Sequence, residues 1–394
     1  MKLVVPRETR ADERRVALVP ESCKKLIEAG YTVAIEIGAG EAAHFPDDAY
    51  RAVGVTVESD PAALLGSADF VLKVNAPAVG GAAGRNEVDW MRPGALYLGS
   101  LMPLRNLDAV RALAARRVTA FATDAIPRTT RAQSMDTLSS MNSIIGYRGV
   151  LLAASALHKY FPMLMTAAGM VPAAKVFVIG AAVAGLQAIA TARRLGANVT
   201  ATDVRPEVKE QIESVGGKYV GIELSESASA GGGYAKELSE ADKQRQRELL
   251  AERCAVVDVV ITTALIGGVF APRLVTRDIV RRMRPGAVIV DLAADGGGNC
   301  ELSRPGETVM EHGVTILAPL NVASGMPTHA SVLFSRNLTN FVQAFTKDKT
   351  FQLDLDDEIQ QGALITRDGQ VVHERTKEAL QAAGSGGARA EPQA

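Results

Sequence analysis

Short apolar runs alternate with stretches of helical spacing along the first third of the chain. The runs at 3–5, 31–37, 69–74, 95–99 and 119–123 predict strands, and 20–29 and 107–115 predict helices. The first helix has Pro20 in its opening turn and Gly30 at its end, the usual asymmetry of helix termini. Strands alternating with helices imply a parallel sheet covered on both faces. Residues 137–157 keep helical spacing and predict one long helix crossing between domains. A second alternating series follows, with strands predicted at 176–179, 199–202, 256–261, 288–291 and 314–317. A last helix over about 331–345 predicts a return to the first domain, which would make that domain discontinuous.

One pentapeptide occurs twice. Met91-Arg-Pro-Gly-Ala95 returns as Met283-Arg-Pro-Gly-Ala287, each time just before a predicted strand. Two domains of common architecture would produce the echo. The turn chemistry of a helix end followed by Pro-Gly would also produce it. The low-complexity segment 225–233 (SESASAGGG) and the tail 384–394 (GSGGARAEPQA) predict mobile chain.

Composition narrows the function classes. The formal net charge of −1 gives no basic field for nucleic acid or for an anionic membrane, and aromatics at 5% are too few for base-stacking platforms. Cys23, Cys254 and Cys300 are far apart with no CxxC, and the five histidines show no HExxH spacing, so no metal site is expected. The opening MKLVVPRETR lacks the apolar stretch of a signal peptide. The longest uncharged piece within the most apolar region, 176–192, has 17 residues and contains Gly180 and Gly185. It reads as a buried strand followed by a helix rather than a membrane span, which needs about 20 apolar residues.

That piece is also the strongest motif. Val176-Phe-Val-Ile-Gly180-Ala-Ala182-Val183-Ala-Gly185 predicts a strand, a tight turn and a helix whose N-terminus faces the turn. Unpaired N–H groups and the helix dipole there suit a dinucleotide's pyrophosphate. The usual pattern is GxGxxG, and here Ala182 replaces the middle glycine. A second predicted strand ends at Asp203, 23 positions after Gly180, where a carboxylate can accept both ribose hydroxyls of NAD and repel a 2′-phosphate. Arg205 complicates this, because an arginine can accommodate that phosphate. Asp203 would alternatively cap a helix beginning near Pro206.

Other features are ambiguous on spacing. Asp291-Leu-Ala-Ala-Asp295-Gly-Gly-Gly-Asn299 follows a strand and reads as a ligand crevice or a plain loop. Thr263, Ala264 and Leu265 follow another strand and are candidates to border the adenosine or nicotinamide. The polar segment 128–140 contains Arg128, Gln133, Asp136 and Ser139, donors and acceptors suited to a carboxamide and riboses. It reads equally as a solvated linker in which Asp136 caps the next helix. Lys73 lies in an apolar strand, which is costly unless the lysine is paired, functional or snorkelling from the strand end.

Together these residues resemble the family shared by alanine dehydrogenase and nicotinamide nucleotide transhydrogenase. The resemblance is carried by Pro6-Arg-Glu8, Glu13-Arg-Arg15-Val-Ala17, Gly38-Ala-Gly40-Glu41, Leu72-Lys73-Val74, the glycine turn and Met283-Arg-Pro-Gly-Ala-Val-Ile-Val-Asp291, and it covers about residues 1–347. Alanine dehydrogenases carry a catalytic lysine where this chain has Asn75, and a histidine in the stretch that reads Leu98-Gly-Ser-Leu101 here. Imine reduction needs a proton donor, and both candidates are missing. In contrast, Arg131-Ala-Gln133-Ser-Met-Asp136-x-Leu-Ser139-Ser140, Ala201-Thr-Asp203-Val204-Arg205 and Gly233-Tyr234-Ala-Lys-Glu237 resemble transhydrogenase segments, the last its mobile loop.

The resemblance implies an α/β fold of two Rossmann-like doubly wound parallel-sheet domains, the first discontinuous. The expected division is 1–136 with 328–382, then 137–327 as the NAD-binding domain, then a disordered tail at 383–394. It implies the NAD(H)-binding component of a proton-translocating transhydrogenase, as a polypeptide separate from the membrane-spanning and NADP(H)-binding components. Arg128, Asp136 and Ser139 would hold the nicotinamide and its ribose, and Gln133 would bridge toward the partner's NADP. Gly180, Ala182, Val183 and Gly185 would hold the diphosphate. Asp203 would hold the adenosine ribose, with Val204 and Arg205 also among the cofactor-binding residues, and Tyr234 would close over the site. A cytoplasmic homodimer, peripheral to the inner membrane through its partners, is expected. Two alternatives are an alanine-dehydrogenase-like soluble enzyme and a non-catalytic NAD-binding subunit.

Overall fold

A computed structural model of the chain describes residues 1–81, 84–221, 239–265 and 271–384. From the start, β1 (Lys2–Val5), α1 (Pro20–Glu28), β2 (Thr32–Glu36), α2 (Asp47–Arg51), β3 (Thr56–Glu58), α3 (Pro61–Gly66), β4 (Phe70–Asn75), α4 (Glu87–Trp90), β5 (Leu96–Ser100), α5 (Leu107–Ala115) and β6 (Thr119–Ala122) lead to the long α6 (Thr137–Ala156). Next come a hairpin, β7 (Leu164–Thr166) and β8 (Gly169–Val171), then β9 (Lys175–Ile179), α7 (Val183–Arg194), β10 (Asn198–Thr202), α8 (Val208–Ser214), β11 (Lys218–Tyr219), α9 (Glu240–Cys254), β12 (Val259–Thr262), α10 (Arg277–Arg282), β13 (Val288–Asp291), β14 (Thr308–Glu311) and β15 (Val314–Leu317). The chain ends through α11 (Pro327–Ala344), β16 (Thr346–Lys347), β17 (Thr350–Phe351), α12 (Glu358–Ala363), β18 (Leu364–Arg367), β19 (Gln370–Val371) and α13 (Glu374–Gly384).

The chain divides into two compact units, 1–141 with 324–394, and 142–323. The first unit has the sheet order β19-β18-β6-β5-β4-β1-β2-β3, the second β11-β10-β9-β12-β13-β15-β14. In each, strand order reverses beside the first strand of the α/β series, at β1/β4 and at β9/β12. That is the switch point where open α/β sheets bind ligands, outside the strands' carboxyl ends. The central strands are buried on both faces, which is why they read as continuous apolar runs such as Val176-Phe-Val-Ile179.

The chain's return to the first unit is held by serines. Ser324, Ser331 and Ser335 accept hydrogen bonds from the backbone N–H groups of Arg14, Val16 and Val19 at 2.7, 3.0 and 3.0 Å. On the same unit Phe341 of α11 packs on Phe121 and Phe351, with ring centroids 5.5 and 6.1 Å apart. The repeated pentapeptide forms the same turn in both units. Gly94 and Gly286 have φ of +82° and +81°, and Ala95 and Ala287 donate to the carbonyls of Arg92 and Arg284.

Several expectations need correction. The strand predicted at 256–261 begins only at Val259, because α9 runs to Cys254 and the chain turns before entering the sheet; Val256 is 42% exposed. The helix predicted from 331 begins at Pro327, which occupies its first turn. The sheets are not wholly parallel, since β14 pairs antiparallel with β15, and β18 with β6 and β19. Helix α13 reaches Gly384; the rest of the tail, and residues 225–233, lie outside the described residues.

Candidate functional site

The second unit builds its site on the turn between β9 and α7. Gly180 has φ of +92°, and a Cβ there would lie 2.8 Å from Thr263 Oγ1. A Cβ on Gly185 would come within 1.9 Å of the Gly180 carbonyl oxygen, so only glycine lets α7 approach the strand end. Ala182 is the N-cap of α7 with φ −76° and ψ −166°, ordinary extended backbone, and its side chain makes no capping hydrogen bond. Val183 opens α7, whose first N–H groups have no intrahelical acceptor. A tight glycine turn leading into a helix whose N-cap residue has no capping side chain suits a diphosphate.

Asp203 closes one side of the turn. Its Oδ2 accepts the Ala181 N–H at 2.8 Å, which joins the end of β10 to the glycine turn. Arg205 covers both carboxylate oxygens, with its backbone N and Nε on Oδ1 at 3.0 and 2.9 Å and Nη2 on Oδ2 at 2.9 Å. The bonded carboxylate raises the Arg205 pKa. Asp203 does not cap the following helix; α8 begins at Val208 with Glu207 as N-cap. Val204 is half-buried between the pair.

The opposite wall is the segment after β12. Thr263 Oγ1 donates to the Gly180 carbonyl at 3.0 Å. Ala264 is gripped through its own peptide groups: its N–H donates to Asn299 Oδ1 at 3.0 Å, and Asn299 Nδ2 donates to the Ala264 and Pro272 carbonyls at 2.9 Å each. Leu265, half-buried, follows at the edge of the described residues. Behind Asn299, the fully buried Asp291 carboxylate accepts from Thr262 Oγ1, Ser303 Oγ and the backbone N–H groups of Ala293, Asn299 and Cys300, at 2.7–3.2 Å. The Asp291–Asn299 segment thus acts as a brace for Ala264, a role its glycines did not reveal.

In the first unit, Arg128, Thr129, Gln133 and Asp136 line one pocket of about 270 Å³. Asp136 is bound to Ser139, whose N–H donates to Oδ1 at 2.8 Å and whose hydroxyl donates to Oδ2 at 2.6 Å. The capping geometry considered for Asp136 is therefore present, and the same carboxylate lines the pocket. Gln133 is exposed on a 3-10 turn, Gln133–Met135, while Ala132 and Met135 are buried beneath it. Arg131 pairs with Asp357, the N-cap of α12. Tyr234 lies outside the described residues.

At the β1/β4 switch point the chain's own charged and polar side chains bond to one another. Lys73 is fully buried, 3.0 Å from Glu87 Oε1 and 3.7 Å from Glu8 Oε2, so it is paired and does not snorkel. Burial lowers its pKa, but Glu8 and Glu87 outweigh that and raise it. Asn75 Nδ2 donates to Glu8 at 3.2 Å and to Glu13 at 2.9 Å. Glu13 also takes Arg15 Nη2 at 2.7 Å. The three cysteines are free and buried, and burial pushes the Cys23 and Cys254 thiols up to about 12, so neither is a nucleophile.

Two family models cover nearly the whole chain: alanine dehydrogenase/PNT, N-terminal domain, over residues 4–145, and alanine dehydrogenase/PNT, C-terminal domain, over 149–374. The chain belongs to the alanine dehydrogenase/PNT family. Within the family it is 48% identical to the first part of NAD(P) transhydrogenase subunit alpha from Rhodospirillum rubrum, across 95% of this chain and 98% of that protein. A transhydrogenase structure from Sinorhizobium meliloti matches with a TM-score of 0.84 and 42% identity, over 94% of this chain and all of that one. An L-alanine dehydrogenase structure matches with a TM-score of 0.78 and 25% identity, over 97% and 99%. These likenesses support an oxidoreductase role and make the second unit a nucleotide-binding domain of the dehydrogenase kind. Among the described residues no helix is long and apolar enough to cross a membrane.

Proposed function

We propose that this chain is the NAD(H)-binding component of a proton-translocating transhydrogenase. The Gly180–Gly185 turn and the start of α7 bind the diphosphate, and Ala264 and Leu265 border the nucleotide. Asp203, with Val204 and Arg205 beside it, binds the adenosine ribose; its charge selects NAD(H) over NADP(H). Arg128, Asp136 and Ser139 hold the nicotinamide and its ribose, Gln133 faces the NADP(H) of a partner component, and Tyr234 closes over the site. Bound NADH supplies the hydride, which passes directly to NADP⁺ on the partner. A membrane-spanning component couples that transfer to proton movement. The chain works as a homodimer on the cytoplasmic side of the inner membrane, attached through its partners; the exposed Met163, Met165 and Met170 around the β7–β8 hairpin support a second copy covering them.

The observation that carries this reading is Asn75 at the β1/β4 switch point, bonded to Glu8 and Glu13. Direct transfer between nicotinamides needs orientation and no general acid. Reduction of an imine needs a proton donor, and the position resembling that donor is an asparagine already committed to Glu8 and Glu13. The test is a mixture of this chain with the NADP(H)-binding component in the absence of membranes. Hydride should exchange between bound NADH and NADP⁺, and Gln133→Asn should slow the exchange while NADH affinity stays within about twofold. No exchange in the mixture would refute the reading.

A further inference from the structure

Gln133 is presented by a turn that is weak in itself. A three-residue 3-10 turn makes few bonds of its own. Here the Gln133 N–H to Thr130 carbonyl and Asp136 N–H to Gln133 carbonyl distances are both 3.4 Å, and only Met135 N–H to the Ala132 carbonyl is short, at 2.8 Å. An exposed side chain on such a turn is held only as well as something outside the turn holds it.

Beside the packing of the buried Ala132 and Met135, that outside support includes a pair of amides. Asn337 and Asn340, one turn apart on α11, both donate through Nδ2 to a single acceptor, the Ser134 carbonyl, at 2.8 and 3.0 Å. Ser134 is the middle residue of the turn, next to Gln133. Asn337 is 7% exposed, and its own Oδ1 is buried without a hydrogen-bond partner. A buried amide with half its capacity unused is costly, and an apolar residue would fill the space at less cost. The half that is used grips the turn.

We propose that Asn337 and Asn340 are positioning residues for hydride transfer: by clamping the Ser134 carbonyl they fix the turn that carries Gln133. The inference rests on the transhydrogenase reading, in which Gln133 stands where two nicotinamides meet. Reacting atoms must approach to roughly 3–3.5 Å, and a displacement of about 1 Å costs on the order of a hundredfold in rate. Loss of the clamp therefore acts on the transfer step. It leaves the Gly180 turn and Asp203, which bind the rest of NADH, unchanged.

The experiment uses Asn337→Leu, which keeps the volume and removes the donors, the half-exposed Asn340→Ala, and the double variant. Hydrogen exchange of the Met135 and Asp136 amides is followed in the full-length chain. NADH affinity, and the rate of hydride exchange with the NADP(H)-binding component, are measured on the same samples. The double variant should exchange those amides at least tenfold faster and transfer hydride at least tenfold more slowly, with NADH affinity within about twofold and Asn340→Ala intermediate. Unchanged amide exchange, an unchanged transfer rate, or a loss of NADH affinity matching the loss of rate would each overturn the proposal. A wild-type mixture that transfers no hydride refutes the transhydrogenase reading instead, and the amide-exchange comparison still decides whether the clamp holds the turn.

Discussion

Glu13 is the most heavily bonded carboxylate at the first unit's switch point. Arg15 gives it Nε at 2.8 Å and Nη2 at 2.7 Å, and Asn75 gives it Nδ2 at 2.9 Å. Burial raises its pKa, but these donors and the Arg15 charge overcome that and bring it down to about 2 from 4.5. A carboxylate whose pKa falls on folding stabilises the fold above its unfolded pKa and loses that contribution as pH falls through the folded one. Glu13 therefore contributes about 3 kcal/mol at neutral pH, fading between pH about 4.5 and about 2. Glu13→Gln should cost about that much at pH 7, and the gap from wild type should shrink to about 1 kcal/mol at pH 3, read from urea unfolding at both. An equal gap at the two pH values would remove Glu13 from the acid-sensitive set. The segment Glu13-Arg-Arg15 is visible in the sequence as a motif, and so is the oddity of Lys73 in an apolar strand. Their partners are not. Glu8 precedes Lys73 by 65 positions, Asn75 follows Glu13 by 62, and only the meeting of strand ends at one switch point joins them.

At the scale of elements, the glycine turn shows what patterning reveals and what it misses. Gly185 was legible because helix and strand must nearly touch there, and the 1.9 Å approach of a would-be Cβ to the Gly180 carbonyl is the physical reason. Gly185→Ala should push α7 off β9, destabilise the protein by about 1–3 kcal/mol and weaken NADH binding at least tenfold. Ala182→Gly should move both by little, since the Ala182 backbone is already extended and unstrained. Thermal unfolding and NADH fluorescence titration of the two variants make the comparison; similar losses in both would mean that the turn tolerates bulk equally at either place. The elements that escaped the sequence reading are short or polar. The hairpin β7–β8 and the pairs β16–β17 and β18–β19 have no long apolar run, and β14 alternates half-buried with exposed positions at a sheet edge. The brace on Ala264 and the clamp on Ser134 were equally invisible, because each asparagine acts on backbone far away in sequence, 35 and 203 positions for Asn299 and Asn337.

For the whole molecule, two sheets of related winding come to different ends. At the switch point of the second unit lie a glycine turn and a helix start without a side-chain N-cap, whereas at that of the first Glu8, Glu13, Lys73 and Asn75 are bonded to one another. Shared architecture explains why the chain resembles an alanine dehydrogenase in fold, and the proposed reading differs from that enzyme's in what stands at Asn75. The consequence is testable on the isolated chain. It should bind NADH yet show essentially no NAD⁺ reduction with alanine and no NADH oxidation with pyruvate and ammonia, because the groups described at the first unit's switch point are committed to one another rather than placed to deliver a proton to an imine. Adding free NADP⁺ should not restore turnover either, since nothing then holds a second nicotinamide within transfer distance. Absorbance of NADH over time measures each case, and robust alanine oxidation would overturn the transhydrogenase reading, since it needs a proton donor that the mutually bonded groups around Asn75 do not offer.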